Sequence, residues 1–275
     1  MKKVLVMMIF ILSIGAVVFG KFAYDNKLAE IANSAKVDHE TMVQEQIQRE
    51  EEAFAKREDE EQAWFEQLTD GLPTSIKALV EQRFDNDEIH IIAFGSRALV
   101  DSQREGIDPW PLLLEKGLNE KYERDLFRVE TYEFGQITSL EVLQEEYHLG
   151  VARLNPDVVI IEPFLWNDNG IVSTNDTITA LSIMVNAFES SHEDVIVMVQ
   201  PPQPVFGTMY YPQYVEQLRT FVQEETDYMY IDHWNDWPDV EDEALHAYVG
   251  EEHRMPTALG HETWKNSIKT FFVNN

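Results

Sequence analysis

The chain has 275 residues, enough for one large domain or two small ones, and its 44% hydrophobic and 11% aromatic residues can form a sizeable core. The formal net charge of −29 excludes nucleic acid and an anionic membrane surface as favourable partners. There is no cysteine, which excludes disulfides, thiolate metal sites, cysteine nucleophiles and a lipid anchor on cysteine.

An apolar run from Val4 to Gly20 follows Lys2 and Lys3 at the start of the chain. Its length of about 17 residues is at the lower limit for crossing a bilayer. Lysines that flank such a segment stay in the cytoplasm, so the rest of the chain is predicted to be exported. We interpret residues 1–24 as an uncleaved membrane anchor, with a removed signal peptide as the alternative.

Residues 25–71 form a polar segment that is rich in Glu and Gln, and positions 27–68 contain neither Gly nor Pro. A helix of about 42 residues would reach roughly 60 Å, so the segment is predicted to be a charged helical stalk or linker. A disordered acidic spacer is the alternative. Gly71 and Pro73 are predicted to end it, and Thr74 to cap a short helix that runs to Phe84.

After Asp85 the signals for strands and helices alternate. Strands are predicted at Ile89–Phe94, Phe127–Phe134, Val158–Pro163, Val195–Gln200 and Tyr228–Asp232. Helices are predicted at Trp110–Tyr122, Leu140–Leu154, Asn175–Ser190, Gln213–Glu224 and Ala258–Phe272. This alternation favours an α/β domain over residues 72–275, in three α/β/α layers with a five-stranded parallel sheet.

Three segments place polar residues where predicted strands end, which is where open α/β sheets locate their chemistry. FGSRAL (94–99) follows the first strand, EFGQITS (133–139) follows the second, and PDVVIIEPFLWNDNG (156–170) contains the third. Ser96 therefore stands where a nucleophile or an oxyanion donor is expected. A serine that only caps the following helical turn is the simpler interpretation.

Common catalytic signatures are missing from the sequence. It contains no GxSxG, GxGxxG, phosphate-binding loop or HExxH pattern. The acidic cluster in IDHWNDWPD (231–239) has no standard ligand spacing, and we interpret it as structural or solvated. We therefore expect neither a metal site nor a cofactor.

Taken together, the three segments and MPTALGHETW (255–264) resemble the four blocks of the SGNH or GDSL-type hydrolases, a superfamily of esterases and lipases. The PDVVII strand that leads into Asn-Asp is the most specific match. The resemblance covers residues 88–272 and implies a flavodoxin-like sheet. It also implies that Gly135 and Asn167 are oxyanion-hole donors and that an ester is the substrate.

Two family positions carry other residues here. When the blocks are aligned on Gly95, Arg97 falls on the nucleophile position and Ser96 on the preceding one. When they are aligned on Pro256 and Gly260, Met255 falls on the catalytic His. Glu252 then falls on its Asp partner. The resemblance thus matches the two oxyanion donors, whereas the family's nucleophile and base positions hold other residues here.

A hydrolase built on this sequence needs a hydroxyl and a base within about 2.6–3.2 Å of it. The nearest candidates are Ser96 as nucleophile and His253 as base, with Glu252 or Glu251 orienting the imidazole. His261 is a second imidazole, for which packing near the last helix is the alternative.

Substrate contacts are predicted at three further positions. Arg97 would hold an anion such as a carboxylate or sulfate on a glycan. Asp168 follows Asn167 in the third block. Tyr210 lies in a loop rich in Pro and Tyr (200–214) that suits the wall of a sugar groove, and Trp234 and Trp237 suggest the same use.

Two functions follow from these observations. The first is an exported, membrane-tethered ester hydrolase that removes acyl groups, in particular acetyl, from envelope polysaccharide or a similar substrate. The second is a glycan-binding or scaffolding protein of the cell envelope that keeps the hydrolase fold but has lost its nucleophile and base, which the residues Arg97 and Met255 favour.

Overall fold

The computed structural model describes residues 2–85 and 87–274, which divide into two compact units, the first ending at Phe65 and the second beginning at Glu66. Helix α1 (Lys2–Thr69) accounts for the first unit. Its apolar N-terminal part is long and apolar enough to cross a membrane, and the side chains there are exposed. Length and composition alone are equally compatible with a signal sequence.

The remainder of the first unit is a polar helix stabilised by charges one turn apart. Lys36 pairs with Glu40, and Lys56 pairs with Glu60 at 3.4 Å. Such exposed pairs each stabilise a helix by about 0.2–0.5 kcal/mol. They contribute to the stability of the helix in a segment with few apolar residues.

The second unit is organised around one parallel sheet. Its strands are β1 (Ile89–Gly95), β2 (Phe127–Glu133), β3 (Val158–Ile161), β4 (Ile196–Val199) and β5 (Met229–Tyr230). They lie in the order β2-β1-β3-β4-β5, and every neighbouring pair is parallel. The predicted α/β class with five parallel strands is confirmed.

Helices cover both faces of this sheet. Their bounds are α2 (Thr74–Arg83), α3 (Trp110–Lys121), α4 (Ser139–Gln144), α5 (Tyr147–Ala152), α6 (Leu165–Asp168), α7 (Thr174–Ser191), α8 (Tyr211–Glu225) and α9 (Ala258–Lys269). Helices α3 and α9 pack together, whereas α7 packs against α4, α5 and α8. Alternate strand residues point to opposite faces, and the set that includes Ile92, Phe94 and Val159 joins the core beneath α7 and α8.

Several predicted boundaries differ from the structure by a few residues, and two helices differ for a clear physical reason. The single helix predicted over Leu140–Leu154 is two helices, because Glu146 adopts a left-handed conformation with φ of 55° between α4 and α5. Helix α2 begins at Thr74, and Pro73 rather than Thr74 occupies its cap position.

Candidate active site

The carboxyl ends of β1, β2 and β3 bring the predicted glycines and asparagine together. Gly95 at the end of β1 accepts a hydrogen bond from Phe134 N at 3.0 Å. Gly135 O in turn accepts from Arg97 N at 3.0 Å and from Asn167 Nδ2 at 3.1 Å. Gly95, Gly135 and Asn167 therefore meet at one edge of the sheet, here called the strand-end site.

Ser96 is the first residue after β1, and its hydroxyl is enclosed by this site. The residue is 1% exposed and caps the short 3-10 helix Arg97–Leu99, where its Oγ accepts from Ala98 N at 3.3 Å. Its backbone N–H donates to Glu162 Oε2 at 2.8 Å. The partner of the hydroxyl is thus a backbone N–H, and the carboxylate of Glu162 contacts the backbone of Ser96.

Glu162, which the sequence reasoning did not single out, is the unexpected member of the site. It follows β3 directly and is fully buried. Burial raises the pKa of Glu162 to about 7, although the N–H and hydroxyl of Ser96 favour its ionised form. The sequence feature that could have identified Glu162 is a single carboxylate at the end of an apolar strand (VVIIE).

Both predicted oxyanion donors contact protein acceptors in this conformation. Gly135 has a φ of 64°, and its N–H donates to Glu133 Oε2 at 2.8 Å. The Asn167 amide donates to Gly135 O and also to Ile137 O at 2.8 Å. A substrate oxygen would therefore have to displace these acceptors.

Arg97 borders the strand-end site. Its backbone N–H is fixed by Gly135 O, and its guanidinium lies against the Gln136 side chain. With its amide oxygen facing the guanidinium, Gln136 accepts from Arg97 Nη2 at 3.2 Å. This neutral partner leaves the positive charge of Arg97 available to an anion.

Asp168 lies within the protein and joins two helices. It is 1% exposed, and its carboxylate accepts from Ser139 N at 2.8 Å, Ser139 Oγ at 2.5 Å and Thr177 Oγ1 at 2.6 Å. Burial raises the pKa of Asp168, and these hydrogen bonds oppose that effect. The Asp168 carboxylate thus connects α4 and α7 through hydrogen bonds, directly after Asn167 in the chain.

His253 and Glu252 belong to an exposed turn that precedes α9. The His253 side chain is 61% exposed, and its Nε2 lies 4.0 Å from Glu252 Oε2. The turn reaches the same end of the sheet, because Gln203 donates to Arg254 O at 2.8 Å and the Arg254 guanidinium lies 5.9 Å from the Trp166 ring. Trp166 directly precedes Asn167.

Two other imidazoles are packing groups. His261 is buried and accepts from Trp110 N through Nδ1 at 3.2 Å, and burial lowers its pKa to about 4. His233 stacks on Trp264 with ring centroids 4.6 Å apart, and burial lowers its pKa to about 3. Both rings are therefore neutral at physiological pH.

Aromatic side chains flank the site on the β4 and β5 side. Tyr210 is 61% exposed just before α8, and the next residue, Tyr211, packs edge-on against Trp166. Near the end of β5 lies a cavity of about 450 Å³ whose lining includes Trp234 and Trp237. In the described ranges, 2–85 and 87–274, no group of three or more acidic or imidazole residues could hold a metal ion.

Comparison with known proteins identifies this architecture. No protein-family model matches the sequence, and no curated protein does. Among solved structures, a protein assigned to the G-D-S-L family of lipolytic proteins from Desulfitobacterium hafniense matches with a TM-score of 0.54 at 17% identity, over 66% of this chain and 98% of that chain. The domain has the GDSL-type hydrolase fold.

Two further solved structures extend the comparison. One is described as a GDSL-like lipase from Parabacteroides merdae, with a TM-score of 0.54 and 11% identity over 67% of this chain and 96% of that chain. The other is an acetyl xylan esterase from Geobacillus stearothermophilus, with a TM-score of 0.51 and 13% identity over 67% and 95%. At these identities the likeness establishes the fold alone.

Proposed function

We propose that the domain is a GDSL-type ester hydrolase that removes acyl groups, in particular acetyl, from envelope polysaccharide or a similar ester. The observation that carries the proposal is the convergence of Ser96, Gly135 and Asn167 at one strand-end site. The likeness to an acetyl xylan esterase supports a carbohydrate ester as the substrate. The exposed Tyr210 and the cavity near β5 are suited to sugar rings.

In this proposal Ser96 attacks the acyl carbon, and Gly135 and Asn167 stabilise the oxyanion. Each such donor is worth about 2.7–4 kcal/mol. His253, oriented by Glu252, is the imidazole proposed as base. That role requires the turn at 250–255 to shift, since His253 is 61% exposed and Ser96 is 1% exposed. Asp168 contributes indirectly through the α4–α7 connection, and Arg97 binds an anionic group of the substrate.

The test is hydrolysis of 4-nitrophenyl acetate and acetylated xylan by the full chain in detergent. We expect release of acetate that Ser96→Ala abolishes. Ser102→Ala is the matched control, because Ser102 is a buried serine that donates to Ile107 O, away from the proposed machinery. Equal rates in the wild type and Ser96→Ala would remove Ser96 from the mechanism.

The N-terminal helix supports a location at the membrane. We infer that residues 1–24 anchor the chain, with Lys2 and Lys3 on the cytoplasmic side and the domain outside. Protease added to intact cells should then degrade the domain but leave a cytoplasmic marker untouched. Recovery of the chain in the medium, starting after residue 20, would instead establish a cleaved signal peptide.

The second candidate is a glycan-binding protein without turnover. Arg97 favours it, because its guanidinium borders the site and lies against the neutral Gln136 side chain. A screen of acidic and sulfated glycans should then find a ligand whose binding Arg97→Ala removes. Ser96-dependent turnover of an ester would count against this candidate.

A further inference from the structure

Glu162 is a buried carboxylate in direct contact with the residue proposed as nucleophile. It is 0% exposed, and its Oε2 accepts from Ser96 N at 2.8 Å. Gly95 makes this approach possible, because a Cβ at that position would lie 2.8 Å from Glu162 Cβ and 3.0 Å from Oε2. The residue before Ser96 is thus a glycine where the Glu162 carboxylate needs the space.

Ser96 keeps a hydroxyl proton that it can donate, and Glu162 is the carboxylate that contacts its backbone. Ser96 Oγ accepts from Ala98 N at 3.3 Å, so its own proton remains to be donated. The hydroxyl favours the ionised form of Glu162, as a donor to a carboxylate does. In the part of the chain that the structure describes, Glu162 Oε1 is buried without a hydrogen-bond partner.

We propose that Glu162 is the proton acceptor for Ser96 and replaces His253 as the base in the reaction described above, because His253 is exposed in this conformation. This inference rests on the proposed ester hydrolysis. Glu162 takes the proton of Ser96 as Oγ bonds to the acyl carbon, and it returns that proton to the alcohol oxygen as the ester C–O bond breaks. Water then attacks the acyl-serine, and Glu162 again accepts and returns one proton, releasing the acid.

The surroundings of Glu162 match this role. Burial raises its pKa to about 7, with the Asp168 carboxylate contributing in the same direction. The Tyr211 hydroxyl donates to Gln203 O at 3.2 Å, and burial, together with the negative charge of Glu162, raises the pKa of this tyrosine. A base with a pKa near the working pH accepts and returns protons efficiently.

The experiment measures kcat and KM for 4-nitrophenyl acetate from pH 5 to 9 with the full chain in detergent. The variants are Ser96→Ala, Glu162→Gln and His253→Gln, with Glu193→Gln as an exposed control. We expect Glu162→Gln to lower kcat about 10²- to 10⁴-fold with little change in KM. The wild-type rate should rise with an ionisation near pH 7, and that ionisation should persist in His253→Gln.

The outcomes separate the inference from the proposed function. Activity that is lost in Ser96→Ala but retained in Glu162→Gln overturns the role of Glu162 and leaves the hydrolase intact. If the ionisation near pH 7 disappears in His253→Gln, the base is His253. That result overturns the role of Glu162 but not the proposed hydrolase, and it can be obtained even if Glu162→Gln does not fold. Activity that Ser96→Ala retains overturns both proposals.

Discussion

The buried carboxylate of Asp168 provides a direct test of how the site is held. Replacing Asp168 with Ala removes three hydrogen bonds, two from Ser139 and one from Thr177. Hydrogen bonds to a charged group contribute about 1.5–3 kcal/mol each, which gives a gross loss of roughly 5–9 kcal/mol. Release of a buried charge offsets part of this loss, and the two hydroxyls can rotate to new partners.

The net loss should therefore be about 3–5 kcal/mol for Asp168→Ala, because the buried Ser139 N–H cannot rotate away. Asp168→Asn should cost roughly 1–2 kcal/mol, since one amide oxygen still accepts from Ser139. The exposed Asp194→Asn serves as control and should remain within about 0.5 kcal/mol of the wild type.

Urea unfolding of the full chain in detergent, followed by tryptophan fluorescence, measures these differences. With a slope of about 2–3 kcal/mol per molar urea, Asp168→Ala should lower the midpoint by roughly 1–2 M. If Asp168→Ala unfolds at the wild-type midpoint, the carboxylate does not hold α4 and α7 together, and its proposed support of Asn167 is wrong.

The remaining predictions concern stability and use the same unfolding measurement. Gly260→Ala should be strongly destabilising, by about 3 kcal/mol or more, because the new Cβ would lie 2.2 Å from Tyr248 O; an unchanged midpoint would refute this close approach. Thr257→Ala should cost about 1 kcal/mol through loss of the α9 cap and of its bond to Ala247 O, whereas Thr257→Ser should retain most of that stability. Glu162 has a folded-state pKa near 7, above its ordinary 4.5, so its stabilising contribution is complete below pH 4.5 and is lost as the pH rises to 7. Across that range the wild type should lose about 3 kcal/mol relative to Glu162→Gln, and parallel curves would contradict the raised pKa.

The strands could be predicted because buried parallel strands appear as continuous apolar runs. The predicted strand at Ile89–Phe94 differs from β1 by one residue. The edge strand β5 is shorter than predicted, at Met229–Tyr230, because it pairs with β4 alone and only two of its residues are in register. The break at Glu146 was not predictable, since neither Gly nor Pro marks it and its left-handed conformation accompanies the packing of α4 and α5 on α7.

The positions of Gly135 and Asn167 could be inferred because strands of a parallel sheet present their carboxyl ends at one edge. The hydrogen-bond partners of the site residues could not be inferred from the sequence. Whether Asp168 faces substrate or Ser139 depends on how α6 is oriented, which adjacent residues alone do not specify. The contact between Glu162 and Ser96 joins residues 66 positions apart and depends on the register of β1 with β3.

Covalent labelling of the nucleophile tests the central proposal most directly. The full chain in detergent is treated with a fluorophosphonate, which reacts with activated serines, and the tryptic peptide 84–97 is examined by mass spectrometry. We expect one phosphonyl group on Ser96, with labelling that Glu162→Gln slows and Ser96→Ala abolishes. A peptide that remains unlabelled while the protein is folded would contradict the hydrolase and leave the glycan-binding function.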